Sequence, residues 1–593
     1  MNQAMLRYEW ETIPWRKLEK TVFKLQKRIY QASLNGENQL VHRLQRLVLK
    51  SHSAKLLAIR RVTQDNRGKK TPGIDGKVAI EPKDRLKLAQ ELNITKKPQP
   101  TRRVWIPKPG KKEKRPLGIP TIADRVVQAL GKMAFEPEWE AKFEGNSYGF
   151  RPGRSCHDAI EAIFKAICRK RAYVLDADIS GCFDNINHNA LLEKLQTFPT
   201  FRRLIRNWLK AGVIDKNAFY NTESGTPQGG VISPLLANIA LHGLETDTKE
   251  AMLPLLKAHW KKTKDYPSSR KVLLSNMSII RYADDFVVLH EDKHIVERSK
   301  EYIEHWLQNI GLELKDSKTR ICHTSDGDKP GFDFLGFNVR QQNVSLHNCG
   351  KSRIGFKTLI KPSSNSLKKH LKVIKESLRK LRGANQAAVI SKLNPIIRGW
   401  SQYFCTAISR KVFAKAAHQT HQKLWQWAKF RHAHKGLTWI KSKYFKRHGN
   451  DNWRFMDSDG YFLYRHSDLK IKNHVKVRGD KSPYDGDYLY WSQRMGKHPM
   501  VRNKVAMLLK IQKGKCSQCL NYFMPGEVLE VHHADKNHDN NDKTNLRLIH
   551  GHCHDNAHRS RGLHDKHQAI EEPCDLKGTR TVLKPSLRGD SQA

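Results

Sequence analysis

The sequence has no run of eighteen consecutive apolar residues, which excludes a simple membrane-spanning helix. Its opening stretch, MNQAMLRYEWETIPW, lacks the apolar core of a signal peptide. The expected location is therefore the cytoplasm or nucleoid of a cell without a nucleus. No internal repeat of about 20–50 residues is present, which sets aside solenoids and propellers. Cysteine is too sparse for a disulfide scaffold. Ten occur in 593 residues, scattered except for one cluster near the C-terminus, and they read as reduced thiols. The shortage of acid is the most telling. Lys and Arg number 108 against 58 Asp and Glu, a net charge of +50. Solubility needs no such excess, whereas a polyanion does, because phosphates attract Lys and Arg and release counterions on binding. A ribosomal-type binder or a protein of anionic membrane surfaces would share the excess. Nucleic acid is the partner expected, and not a membrane.

What is present falls into segments. Residues 1–70 are basic, with apolar positions at three- and four-residue steps that predict helices. RGKKTPGIDG then breaks the pattern. Residues 101–345 mix short strands, helices and Gly/Pro turns. Residues 362–435 return to basic helix. Residues 440–505 are basic, rich in Tyr and Trp, and less regular. A Cys/His-rich segment fills 514–560, and a polar tail follows.

SIIRYADDFVVLH, Ser278–His290, sets Asp284 and Asp285 between β-branched and aromatic runs that read as strand. Adjacent carboxylates there repel each other, and burial disfavours their charge. An earlier stretch, AYVLDADISGCFDNI, carries Asp176, Asp178 and Asp184 after an apolar run. On a strand Asp176 and Asp178 share a face. One carboxylate from this stretch and two from the Asp284–Asp285 turn would suit divalent ions, which take oxygen ligands and cancel the repulsion. Two such ions about 3.5–4 Å apart activate a 3′-hydroxyl and stabilise a leaving pyrophosphate, which is polymerase chemistry. For ADD alone, a surface hairpin with solvated aspartates is the alternative.

Around these two elements stand RRVWIPKPGKKEKRPLGIPTIADRVVQ, GNSYGFRPGRSCHDAI, SGTPQGGVISPLLANIAL, LKDSKTRI and FDFLGF. Together they resemble group II intron-encoded reverse transcriptases, also called maturases, over most of the chain. The resemblance implies a right-hand fingers and palm with Asp178, Asp284 and Asp285 holding two Mg²⁺. Asp178 is favoured over Asp176 because the family pattern places Phe183 five residues after the catalytic aspartate. Phe183 matches a gate that clashes with a ribose 2′-hydroxyl, with an ordinary core Phe as the alternative. Gln228 would sit near the incoming dNTP, where Gly229 and Gly230 allow close approach. Lys108 and Arg115 would hold the triphosphate, unless they form only a solvated face. Lys318 resembles a residue near the metals, or forms an ion pair. Phe334–Phe337 resembles a primer grip, or is a hairpin corner. Tyr282 and Ala283 would lie beside the primer end. Trp400, Tyr403 and Phe404 are expected to be packed core, with the surrounding Lys and Arg gripping RNA.

The second motif is KCSQCLNYFMPGEVLEVHHADKNHDNNDKTNLRLIHGHCHDNAH. Cys516 and Cys519 form one knuckle, and His550 and Cys553 repeat its spacing. Four such ligands suit tetrahedral structural Zn²⁺; a Cys516–Cys519 disulfide is the alternative. The intervening residues resemble an HNH endonuclease. By that resemblance His533 is the general base, Asn545 orients it, and His532, His554 and His558 bind one divalent ion, expected to be Mg²⁺. Many relatives carry Asp where His532 stands, and some lack a His at 558. Glu530 would support the site or be a surface acid. A degenerate module that only binds DNA is the alternative for this segment.

The expected architecture is multidomain α+β. A basic helical extension (1–70) precedes reverse transcriptase fingers and palm (71–345), an α-helical thumb or domain X (346–438) and a DNA-binding region (439–505). A small zinc-containing ββα-metal HNH domain (506–562) and a flexible tail (563–593) follow. The expected function is to bind intron RNA, assist splicing and support retrohoming. HNH nicking of target DNA would supply the primer for cDNA synthesis. A non-intron reverse transcriptase, a splicing-only RNA-binding maturase and a stand-alone homing endonuclease are the rivals.

Overall fold

The computed structural model describes residues 9–78, 81–107, 113–216, 218–264, 266–345, 354–479 and 481–559. Lys108 and the tail expected at 563–593 lie outside the described residues. Among the described residues no helix is long and apolar enough to cross a membrane.

The predicted basic helices form at Trp15–Leu34, Asn38–Lys50 and His52–Arg60. Their apolar stripes, including Ile29, Val41, Leu44, Val48 and Ile59, are buried, in one core with the long helix Ile122–Lys142. Ser51 caps the third helix by accepting from the Ala54 amide. The fingers sheet runs Lys114–Ile119, Thr101–Pro107, Val213–Asp215, Ala218–Tyr220.

The palm is a four-stranded antiparallel sheet in the order Ser278–Tyr282, Asp285–His290, Tyr173–Asp178, Arg320–His323. Both of its faces are covered. Phe286 and Val288 join the core shared with the N-terminal helices, whereas Val287 and Leu289 join a second core with helix Cys156–Ile167. Double coverage explains why FVVL is apolar without alternation.

A three-stranded sheet, Phe332–Phe334, Phe337–Asn343 and Phe356–Pro362, links palm to thumb. The boundary expected at 345 therefore falls between two paired strands of one sheet. FDFLGF is a hairpin corner, with Leu335 at φ 49° and Gly336 at φ 84°. Tyr403 donates its hydroxyl to the Leu335 carbonyl at 2.9 Å, and Phe404 packs on Phe337. Trp400 stacks on His370. These aromatics are packing residues, as expected. The thumb helices are Ser364–Lys380, Gln386–Tyr403 and Arg410–Arg431.

Part of the region expected to contact DNA is bound to the chain's own palm and fingers side. Asp158, fully buried, accepts from the Val477 amide at 2.8 Å, from His474 at 3.1 Å and from Arg494. Trp491 packs on Gly153, where a Cβ would lie 2.3 Å from its ring. Tyr484 donates to Glu136 at 2.7 Å. Beyond this strap, strands Leu529–His533 and Leu546–His550 and helix Gly551–Arg559 form a ββα unit. It is fastened to the N-terminal helices by Asp555–Arg60 at 2.7 Å and His552–Glu19 at 3.3 Å.

Candidate functional sites

The hairpin joining Ser278–Tyr282 to Asp285–His290 has two turn residues, Ala283 and Asp284. Tight hairpins of this length need positive φ at the first turn residue, and Ala283 has φ 59°. Asp285 lies directly across from Asp178 on the neighbouring strand. The amide of Ile179 donates to the Asp284 carbonyl at 3.2 Å. The turn and the end of the Asp178 strand are thus bonded together, which puts residues Asp178, Asp284 and Asp285 at one end of the sheet.

Cations surround this end. The Lys318 ammonium pairs with Asp178. Arg320, opposite Asp176 in the adjacent strand, lies 3.5 Å from its carboxylate. Burial nevertheless pushes the Asp176 pKa up to about 6, against the pull of Arg320. A carboxylate that burial drives toward its neutral form is a poor metal ligand. The three remaining carboxylates match the hard oxygen donor set that Mg²⁺ requires.

Phe183 is half-buried in the short helix Cys182–Asn185, edge-on to Phe150 with ring centroids 5.9 Å apart. Gln228 donates to Asp184 at 3.0 Å, and its carbonyl accepts from Gly118 of the fingers. Asp184, to which the sequence assigned no role, therefore positions Gln228. Gly229 has φ 132°, and a Cβ there would lie 2.6 Å from the Gly118 carbonyl. Arg115 is exposed, opposite Ile106 in the fingers hairpin.

Cys516, Cys519, His550 and Cys553 are all buried, with ligand atoms within 4.8 Å of one another. No disulfide joins Cys516 to Cys519; both are free thiols. Burial disfavours a charged His550 ring, yet Cys516, Cys519 and Glu527 push its pKa up to about 12. Three sulfur donors and one imidazole, all buried and within reach of one ion, fit tetrahedral Zn²⁺. Glu527 lies 3.3 Å from His550 Nε2, the kind of carboxylate that orients a metal-binding ring.

A second cluster joins His532, His554 and His558, also within 4.8 Å. Glu530 accepts from His554 Nδ1 at 2.7 Å, so it supports the cluster rather than standing as a surface acid. His533 has neither ring nitrogen hydrogen-bonded within the described residues. Burial and neighbouring His538 hold its pKa below the ordinary value, which favours the neutral ring. Asn545 does not bond the His533 ring. Its side chain grips the following loop, accepting from the Asp535 amide at 2.9 Å and donating to Asp535 and Asn540. It orients His533 only through backbone, including the Ala534 amide on its own carbonyl.

Three aspartates at one end of a four-stranded antiparallel palm, flanked by fingers and helical thumb, mark the polymerase class of protein. Residues 106–339 match the family described as reverse transcriptase (RNA-dependent DNA polymerase). Residues 10–92 match the N-terminal domain of reverse transcriptase, and 367–445 the group II intron, maturase-specific domain. Protein YkfC of Escherichia coli is 34% identical over 346 residues, 54% of this chain and 88% of YkfC. The group II intron-encoded protein LtrA of Lactococcus lactis is 33% identical over 335 residues, 48% of this chain and 55% of LtrA. The match thus spans about half the length of LtrA. A telomerase of Candida albicans, in complex with a fragment of telomeric RNA, matches at TM-score 0.31 and 15% identity. That match covers 59% of this chain and 62% of the telomerase. The chain belongs to the family of group II intron-encoded reverse transcriptases and maturases.

Proposed function

We propose that the protein is an RNA-directed DNA polymerase and maturase that works in a ribonucleoprotein with its intron RNA, in the cytoplasm or nucleoid. The observation that carries this reading is Asp178 facing Asp285 across the palm sheet with Asp284 in the adjoining turn. Asp178, Asp284 and Asp285 would hold two Mg²⁺, which would supply activation of a 3′-hydroxyl and charge for the leaving pyrophosphate. The chain's own residues do the rest. Phe183 excludes the 2′-hydroxyl of a ribonucleotide, and Gln228, held by Asp184, lines the dNTP position. Arg115 and Lys108 draw in the triphosphate. The basic N-terminal and thumb helices bind structured RNA and assist splicing.

The Cys/His unit is proposed as an HNH nuclease that nicks target DNA and leaves the 3′-hydroxyl from which cDNA is primed. His533 takes the proton of the attacking water. His532, His554 and His558 hold one divalent ion, and Cys516, Cys519, His550 and Cys553 hold Zn²⁺. Residues 439–505, outside the buried strap, contact the target DNA. The test is Asp284→Asn: primer extension on an RNA template with Mg²⁺ should vanish while intron RNA binding stays near wild type. Surviving extension overturns the triad. A wild-type protein that promotes splicing but never extends a primer would favour the splicing-only maturase.

A further inference from the structure

We infer that Arg281 is a positioning residue for the polymerase centre: its buried guanidinium closes a ring of contacts that fixes the Ala283–Asp284 turn. The inference rests on the polymerase reading above.

Arg281 is the penultimate residue of strand Ser278–Tyr282 and only 4% exposed. One guanidinium nitrogen, Nη1, donates to the Ala283 carbonyl at 3.3 Å and to Asn238 Oδ1 at 3.1 Å. Asn238, 2% exposed on helix Ser233–Ala240, donates to the Gly149 carbonyl at 2.8 Å. Gly149 in turn lies against the Ala283 amide, so closely that a Cβ would come within 2.3 Å of it. Arg281, Ala283, Gly149 and Asn238 therefore form a closed circuit around the turn. Backbone bonds brace it: the Arg281 amide donates to Asn146 at 3.0 Å, and its carbonyl accepts from Tyr148 at 2.9 Å.

Strand packing alone needs no guanidinium here, since Ile279 and Ile280 on the same strand are buried apolar residues. The charge has its own neighbour in Glu144. Burial raises that carboxyl, but His242 and Arg281 outweigh it and hold the pKa down to about 2. What remains for Arg281 to supply is geometry. Both acceptors are met by one nitrogen, whose two N–H bonds are fixed in the guanidinium plane, whereas the lysine ammonium is a freely rotating point charge.

The consequence falls on the metal ions. Mg²⁺ demands near-ideal octahedral geometry. Mn²⁺ takes the same oxygen ligands and, being larger, tolerates a displaced one better. Loosening the turn should therefore cost the Mg²⁺ reaction more than the Mn²⁺ reaction.

The experiment compares wild type, Arg281→Lys and Asn238→Ala in single-nucleotide extension with each metal. Mn²⁺ binding is also measured by electron paramagnetic resonance on complexes with a dideoxy-terminated primer. The expected result is a ratio of Mn²⁺ to Mg²⁺ rate raised by about tenfold in both variants, with a melting temperature near wild type. The dNTP KM should change little, and the bound Mn²⁺ spectrum should broaden. Equal losses in both metals with an unchanged spectrum would reduce Arg281 to a fold-stabilising residue and overturn the proposal. Wild-type behaviour of Arg281→Lys overturns it too. If wild type itself fails to extend primers, the polymerase reading falls. The Mn²⁺ spectra then still decide whether Arg281 orders the carboxylates.

Discussion

Replacing Gly149 by alanine tests how rigidly the polymerase turn is held. The added Cβ would sit 2.3 Å from the Ala283 nitrogen, 2.9 Å from the Tyr282 carbonyl carbon and 3.0 Å from the Ala283 Cα. All three are backbone atoms, so no side chain can swing aside. Comfortable contact begins at about 3.5 Å, so roughly 1 Å of separation must be recovered. Gly149 is held from behind by Asn238 at 2.8 Å, which leaves the turn as the part that yields. A misplacement of about 1 Å at a reacting centre costs on the order of 100-fold in rate, or about 2.7 kcal/mol of barrier. Overpacking costs about 1–3 kcal/mol of stability, which a domain of this size survives. The assay is single-nucleotide incorporation on an RNA template, with melting temperature measured alongside. A kcat down about 100-fold in a folded protein is the expected result. Gly399→Ala, where nothing lies within 4 Å of the new Cβ, should leave the rate unchanged. If Gly149→Ala turns over like wild type, the turn is not held as the contacts say.

Three further outcomes are expected. Asp158→Asn should lower stability by about 3–5 kcal/mol, the cost of breaking a buried ion pair, and should expose the 474–491 strap to limited proteolysis. The Asp158 carboxyl is held far below its usual range by His474 and Arg494 against the opposing effect of burial. Its contribution is therefore present above an unfolded pKa of about 3.9 and lost as pH falls below it, so wild type and variant should converge in acid. Elemental analysis should find about one tightly bound Zn²⁺ per chain, and Cys519→Ala should lose it and unfold the ββα unit while primer extension continues. His533→Ala should abolish nicking of DNA without affecting RNA splicing, and persistent nicking would remove the general-base assignment.

The polymerase centre was legible because its geometry is local. Asp284 and Asp285 are neighbours, the flanking runs are strands, and a two-residue turn leaves few ways to aim them. The Cys and His residues that the fold brings together were legible for the same reason, as pairs at fixed spacing. What the sequence hid depends on residues far apart in the chain. Tyr484 and Trp491 lie in a basic, aromatic stretch that suggests a nucleic-acid surface, yet they are buried against Glu136 and Gly153. Nothing in their local pattern shows that Asp158 captures His474 and Val477. Arg281 was passed over because an arginine inside a strand reads as an exposed charge until its partner Asn238 is seen. Asn545 is where the motif placed it, but it acts on the Asp535 loop, which spacing alone does not specify.

Two cations of different kinds adjoin the aspartate end of the palm sheet, and exposure tells them apart. Lys318 bonds Asp178 directly, but its side chain is 49% exposed on a long flexible stem. Such a partner is displaceable at little cost, so Asp178 would be free to help hold a divalent ion. Arg281 is buried and bonded to backbone, so it cannot leave without exposing acceptors that water does not reach. The same distinction separates the two aspartates of the Tyr173–Asp178 strand. Asp176 lies opposite Arg320 and is driven toward neutrality by burial, whereas Asp178 stands at the strand end opposite Asp285 with a partner it can exchange. The fixed cation thus braces the turn, and the movable one pairs with Asp178.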